Sequence, residues 1–200
     1  MHTKPFAAAA FIAIAALTLT ACGDSDDSMP GMSGMDSSTG AESTDSNVGF
    51  NDSDVTFASE MIPHHRQAVE MAVLAETRAK SSDVKELAAA IKDAQDPEIR
   101  TMSGWLTSWG EPVPEDMSGM DMSSSMPGMM SSDDMDKLSR AIADEFDQMF
   151  LTMMIEHHEG AIEMAKTEQA DGTSPDAVAL AKQIETAQTD EITTMKGLLG

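Results

Sequence analysis

FASEMIPHHRQAVEMA, residues 57–72, returns 93 positions later as FLTMMIEHHEGAIEMA, residues 150–165. The match continues without a gap, because IKDAQDPEIRTMSGWL at 91–106 aligns with IETAQTDEITTMKGLL at 184–199 at the same offset. Each copy holds two long stretches with apolar residues at helical spacing, so each copy reads as a helical hairpin. A hairpin alone leaves its apolar stripe in water. Two of them packed together bury it, which predicts an all-α, antiparallel four-helix bundle built by tandem duplication.

The predicted helices cover 52–80 and 82–109 in the first copy, and 134–169 and 174–199 in the second. Ser82 followed by Asp83 reads as one helix start. Ser174-Pro175-Asp176 reads as another, with proline in the first turn and an acid at the positive end of the helix dipole. Pro63 and Pro97 each remove an amide donor inside a helix and predict kinks. Their counterparts are Glu156 and Asp190, so the kinks belong to the first copy. The domain reading is a hairpin at 51–110, a methionine-rich loop at 111–133 and a hairpin at 134–200, together forming one bundle over 51–200.

Residues 1–21 read as an export leader. Lys4 precedes an apolar run at 6–19 that is too short to span a bilayer, and the run ends in Leu19-Thr20-Ala21-Cys22, the form of a bacterial lipobox. This predicts cleavage before Cys22 and lipidation of its thiol. The protein would then be held on the extracytoplasmic face of the bacterial cell membrane by lipid alone. Cys22 is the only cysteine, which leaves no internal disulfide. Residues 22–50 are Met, Ser, Asp, Gly and Thr with little to bury, and read as a disordered tether.

The formal charge is −23, with 35 acidic residues against 12 basic ones. That excludes nucleic acid as a partner and disfavours an anionic membrane surface, while it favours cations. Methionine is abundant at 19, and tyrosine is absent. Thioethers survive an oxidising compartment in which free thiols become disulfides, so a soft-metal binder outside the cell has reason to use Met. The loop EPVPEDMSGMDMSSSMPGMMSSD shares phrases with MPGMSGMD at 29–36. It reads as a segment that cannot join a core, with Met117, Met120, Met122, Met126, Met129 and Met130 available to capture soft ions.

After the leader, every histidine belongs to one of the two pairs, His64-His65 and His157-His158. On a helical wheel both members of each pair straddle the centre of the buried stripe, with Met61 or Met154 between them one turn earlier. Imidazoles reserved for one duplicated place predict a metal site. Its candidate ligands are His64, His65, His157 and His158 with Met61, Met154, Met71, Met164, Met102 and Met195. Neighbouring side chains diverge, so mixed sites or sites shared between helices are expected. Met61 with His65, Met154 with His158, His64 with Glu60 and His157 with Met153 have suitable spacing.

Glu98 and Glu191 fall on the inward stripes of the partner helices. A carboxylate there costs several kcal/mol unless paired, so each is expected to bind metal or to orient an imidazole. Helix rise places the site in the half of the bundle away from the hairpin turns. Ligation needs neutral imidazole, so binding is expected to weaken as pH falls through the histidine range.

The phrases M-I-x-H-H-x-x-A-[VI]-x-M-A, at 61–72 and 154–165, and Q-x-x-E-I-x-x-M, at 95–102 and 188–195, resemble the bacterial domain-of-unknown-function 305 family. The resemblance covers about residues 51–200. It implies a ferritin-like four-helix bundle, exported or lipid-anchored, with copper or silver bound through Met and His in some relatives. The expected function is to buffer or sequester copper, chiefly Cu(I), with Ag(I) or Cu(II) as further cargo. No organic cofactor and no catalytic constellation is apparent, so no enzymatic activity is expected. Two alternatives stand beside it. One is a ferritin-like di-metal oxidoreductase using iron or manganese at Glu98, Glu191 and the histidines, although the E-x-x-H phrase of such sites is missing. The other is an adaptor whose acidic helices bind a protein. Oligomeric state and protein partner are not specified by these motifs.

Overall fold

The computed structural model describes residues 49–115 and 126–200. The leader, Cys22, the tether and Met117, Met120 and Met122 lie outside the described residues. Among the described residues, five helices follow one another: α1 Asp52–Arg78, α2 Ser82–Trp109, α3 Ser132–Arg140, α4 Ala143–Asp171 and α5 Pro175–Leu199. None of the described helices is long and apolar enough to cross a membrane.

Local chemistry sets the helix starts. Asn51 caps α1 reciprocally: its side chain accepts the Asp54 amide at 3.1 Å, and Asp54 accepts the Asn51 amide at 2.6 Å. Ser81 caps α2, one residue earlier than the expected Ser82. Ser174 caps α5, with Pro175 at its first position. Both α1 and α2 run unbroken through Pro63 and Pro97.

The expected single helix over 134–169 is instead two, α3 and α4, separated at Ala141 and Ile142. The break lets α3 fold inward, so that Leu138 and Ala141 join the core beside Phe146 and Phe150. Ala143 takes a left-handed φ of 55° and bridges Ala79. That conformation costs about 1–2 kcal/mol in a residue with a Cβ. Full burial of one leucine contributes about 1.5–3 kcal/mol. Burial wins, and no glycine or proline marks the break.

The two hairpins, α1 with α2 and α4 with α5, meet mainly through α1 and α4. These run antiparallel. The Asn51 side-chain amide donates to the Asp171 carbonyl at one end, at 2.8 Å, and the Lys80 amide donates to Asp147 at the other, at 3.0 Å. The hairpin turns therefore sit at opposite ends of the bundle. The expectation of a site displaced away from both turns is corrected: the histidines lie midway.

Reciprocal aspartates enforce this arrangement. Asp147, on α4, accepts the amides of Lys80 and Ser81 in the first turn, at 3.0 and 2.9 Å. Asp54, its counterpart in the repeat, accepts the amides of Thr173 and Ser174 in the second, at 3.2 and 2.9 Å. Each copy thus ties down the turn of the other. Hydrogen bonds to a charged acceptor contribute about 1.5–3 kcal/mol each, which makes the pairing of copies specific in register.

The symmetry fails at Glu168, whose counterpart is Ala75. Glu168 is fully buried beside Asp54. Burial pushes its carboxyl up to about 8, reinforced by its hydrogen bond with Asp54 and by that group's charge. A carboxyl whose folded pKa is raised adds stability at low pH and loses it as pH rises from the usual glutamate range through about 8. The melting temperature of Glu168→Gln should therefore gain on wild type across that interval. A constant offset between the two curves from pH 5 to 9 would show that Glu168 is not held protonated.

Candidate metal centre

The core is divided. One apolar cluster contains Met71, Met153, Met154, Met195 and Met130, and the other contains Met61, Met102 and Met164. Under the repeat, Met61, Met102 and Met164 correspond to Met154, Met195 and Met71. Each cluster thus draws one thioether of each kind, and in each the third comes from the opposite hairpin. Along α1 and α4 the histidines fall between the two clusters. Four imidazoles form the layer separating them, each no more than 1% exposed.

Within that layer the two members of each pair have different roles. His64 and His157 meet at the centre, with ring centroids 3.8 Å apart and planes tilted by 42°. His65 and His158 point aside to the partner helices. His65 Nε2 donates to Glu98 at 2.8 Å and His158 Nε2 donates to Glu191 at 2.7 Å. The two glutamates thus orient imidazoles, one of the two roles expected of them. His64 Nε2 donates to the carbonyl of Pro127 at 3.1 Å.

Carbonyls and carboxylates only accept, so each of these partners faces a proton-bearing Nε2. In His64, which burial keeps neutral, that leaves a bare lone pair on Nδ1. The Nδ1 atoms of His64, His65 and His158 have no hydrogen-bond partner, and neither nitrogen of His157 has one. Buried polar atoms are ordinarily satisfied. A whole layer of orphaned imidazole nitrogens is the chemical signature of a place that binds something.

Burial also keeps the central pair neutral. Desolvation, helped by the neighbouring charge of His65, lowers His64 to about 3. Desolvation and then the charge of His64 hold His157 well below the usual range. Burial thus holds this couple neutral across the histidine range in which binding was expected to weaken. Among the described residues no three His, Cys, Asp or Glu side chains converge as a ligand set. An ion held by these imidazoles must complete its shell with other donors, and the neighbouring donors are thioethers.

The loop departs most from expectation. Met126, Met129 and Met130 were expected in a segment unable to join a core, yet all three are buried, and Met130 belongs to the first apolar cluster. Gln67 clamps them: its side chain donates to the Met130 carbonyl at 2.9 Å and accepts the Met130 amide at 2.8 Å. Arg66 holds the carbonyls of Pro114 and Glu115, at 2.9 and 2.8 Å. Gly160 lies directly under this segment, where a Cβ would collide with the Pro127 carbonyl. Gly128 adopts φ +73°, and a Cβ there would come within 2.7 Å of the Glu156 carbonyl.

Arg66-Gln67 and Glu159-Gly160 are equivalent positions. The repeat diverges immediately after both His-His pairs, at residues that grip or admit the loop. Glu60 does not serve as the partner of His64, which bonds Pro127; it lines a cavity outside the loop.

A family model described as a domain of unknown function (DUF305) matches residues 54–199. The chain belongs to the DUF305 family. A DUF305 fragment from Deinococcus radiodurans is similar, at 33% identity and TM-score 0.68 over 76% of this chain and 98% of that one. So is a putative secreted DUF305 protein from Streptomyces coelicolor, at 33% identity and TM-score 0.67 over 74% and 91%. CopM in its Cu(II)-bound form matches at 34% identity and TM-score 0.65, over 73% of this chain and 95% of that one. CopM is also known in Cu(I)-bound and Ag-bound forms. The family thus includes a copper-binding member. Comparison with curated protein sequences found no match.

In the metal-free protein, nitrogen-15 NMR should find His64 as a neutral ring protonated on Nε2. Protonation on Nδ1 would contradict the hydrogen-bond assignment. The unfolded chain takes up protons below about 6.5 that His64 refuses until about pH 3 and that burial also keeps off His157, so stability falls as pH drops through that window. Replacing His64 and His157 with Gln should flatten the fall, and an unchanged acid-unfolding curve would count against a neutral buried couple.

Proposed function

We propose that this DUF305 protein buffers or sequesters a thiophilic cation, Cu(I) first, with Ag(I) and Cu(II) also accommodated, and that it works without turnover. The observation that carries this reading is the layer of buried imidazoles with orphaned nitrogens, bordered on both sides by matched methionines. Neutral imidazole and thioether are uncharged donors of intermediate and soft character, suited to Cu(I) and Ag(I) and poorly suited to hard ions. A relative with the same helices is known with those ions bound.

The ligands we assign to the central layer are His64 and His157, with His65 and His158 turned by Glu98 and Glu191. Met61, Met102 and Met164 supply sulfur on one side, and Met71, Met154 and Met195 supply it on the other, with Met153 close by. A di-metal oxidoreductase needs converging carboxylates, and Glu98 and Glu191 are each engaged by one histidine. Export and lipidation at Cys22 are part of the same proposal. They would place the chain where thioethers outlast thiols and where incoming copper is met first.

Anaerobic Cu(I) titration against a chromophoric chelator tests the reading. Changing His64, His65, His157 and His158 together to Ala should weaken uptake by on the order of 100-fold or more. Replacing Met117, Met120 and Met122 with Ser should leave the tightest site in place. Full uptake by the histidine variant, with loss in the methionine variant, would move binding into the loop and contradict the proposal.

A further inference from the structure

His64 and His157 are at most 1% exposed, so no cation reaches them unless something moves. Their walls differ greatly in how firmly they are held. The helices are fixed by the two apolar clusters and by the reciprocal aspartates. Residues 126–130 are fixed by one hydrogen bond from His64, two from Gln67 and the burial of short methionine segments. Local opening follows the element with fewest stabilising contacts. That element is the strap formed by 126–130.

Beside the strap lies a cavity of about 180 Å³ between α1 and α4. Glu60, Glu163 and Glu168 line it, with Met164 and with Pro127 of the strap itself. Glu163 and Thr167 at its rim are exposed. Deeper in lies the buried carboxyl of Glu168. The wall of this cavity and the lid over the histidine couple are thus the same residue: Pro127 faces the cavity, and its carbonyl accepts the hydrogen bond from His64 Nε2.

From this juxtaposition we infer that the acidic cavity is the entrance for a monovalent thiophilic cation, and that the strap at 126–130 is its door. The inference rests on the proposed function. Carboxylates at the mouth concentrate the cation. Withdrawal of Pro127 opens the way inward and frees the His64 ring. Met126, Met129 and Met130 are buried within the strap, so the door carries sulfur with it as it moves. The divergence of the repeat fits this role. Gln67 holds the strap at one side of the pseudo-twofold and Gly160 makes room for it at the other, so the door exists once in a structure that is otherwise duplicated.

Stopped-flow capture of Ag(I) by the purified protein tests the inference. Trp105, which packs against the cluster containing Met61, Met102 and Met164, serves as reporter. Hydrogen exchange at the Met130 amide monitors the strap. Gln67→Ala removes two hydrogen bonds that keep the strap shut, so Met130 exchange and Ag(I) association should both accelerate by about tenfold or more. Gly160→Ala, checked for folding by circular dichroism, should do the same by lifting Pro127. Glu60→Gln with Glu163→Gln should slow association by about two- to tenfold and weaken its dependence on ionic strength.

Unchanged Met130 exchange in Gln67→Ala would overturn the assigned latch. Faster exchange with unchanged association would show that the cation enters elsewhere, and unaltered association in the glutamate variant would remove the cavity from the path. Wild-type protein that takes up no Ag(I) at all would contradict the proposed function itself, a result distinct from each of these.

Discussion

Four imidazoles buried in one layer, with none of their Nδ1 atoms hydrogen-bonded, form the constraint around which this bundle is organised. Polar atoms left orphaned in a core oppose folding, so the rest of the structure must hold the layer against that cost. Apolar clusters on either side supply the burial. Glu98 and Glu191 satisfy the outer nitrogens of the lateral histidines, and Pro127 satisfies one nitrogen of the central pair. Each of the four rings still has an unpartnered Nδ1, and His157 has neither nitrogen bonded. A soft cation there would satisfy nitrogen and sulfur together, and the free energy of binding would stabilise the fold that prepared the site.

Duplication makes the layer, and departures from duplication make it specific. The aspartate ties at Asp54 and Asp147 need two copies running head to tail, each closing the other's turn. Such ties bring the two His-His pairs to the same height and face to face. Equivalent positions then diverge where a single strap must be seated on a twofold surface. Arg66 and Gln67 supply donors on α1, and Gly160 supplies space on α4. Glu168 is a second departure, adding a protonated carboxyl next to one aspartate tie and none at the other.

Much of this was legible in the chain. The offset repeat defined the hairpins and the inward direction of the histidines, and the inward stripe placed Glu98 and Glu191 beside them. Three features were not. The head-to-tail pairing depends on side-chain acceptance of turn amides; Asp54 and Asp147 stood at matching positions, but acidic residues are common in this chain and these carried no mark. The break before Ala143 follows from tertiary burial of Leu138 and has no local punctuation. The seating of Met126, Met129 and Met130 contradicts their low-complexity surroundings, because composition reports the average of a segment and not the few residues that a complementary surface selects. The change from Arg-Gln to Glu-Gly just after the histidines was the available signal.

The most direct test of the account is X-ray absorption on the protein loaded with one equivalent of Cu(I). The account predicts a mixed shell, with sulfur scattering from thioethers and the multiple-scattering pattern of at least one imidazole, the latter lost when His64 and His157 are replaced. A shell of sulfur alone, unchanged by those replacements, would contradict it.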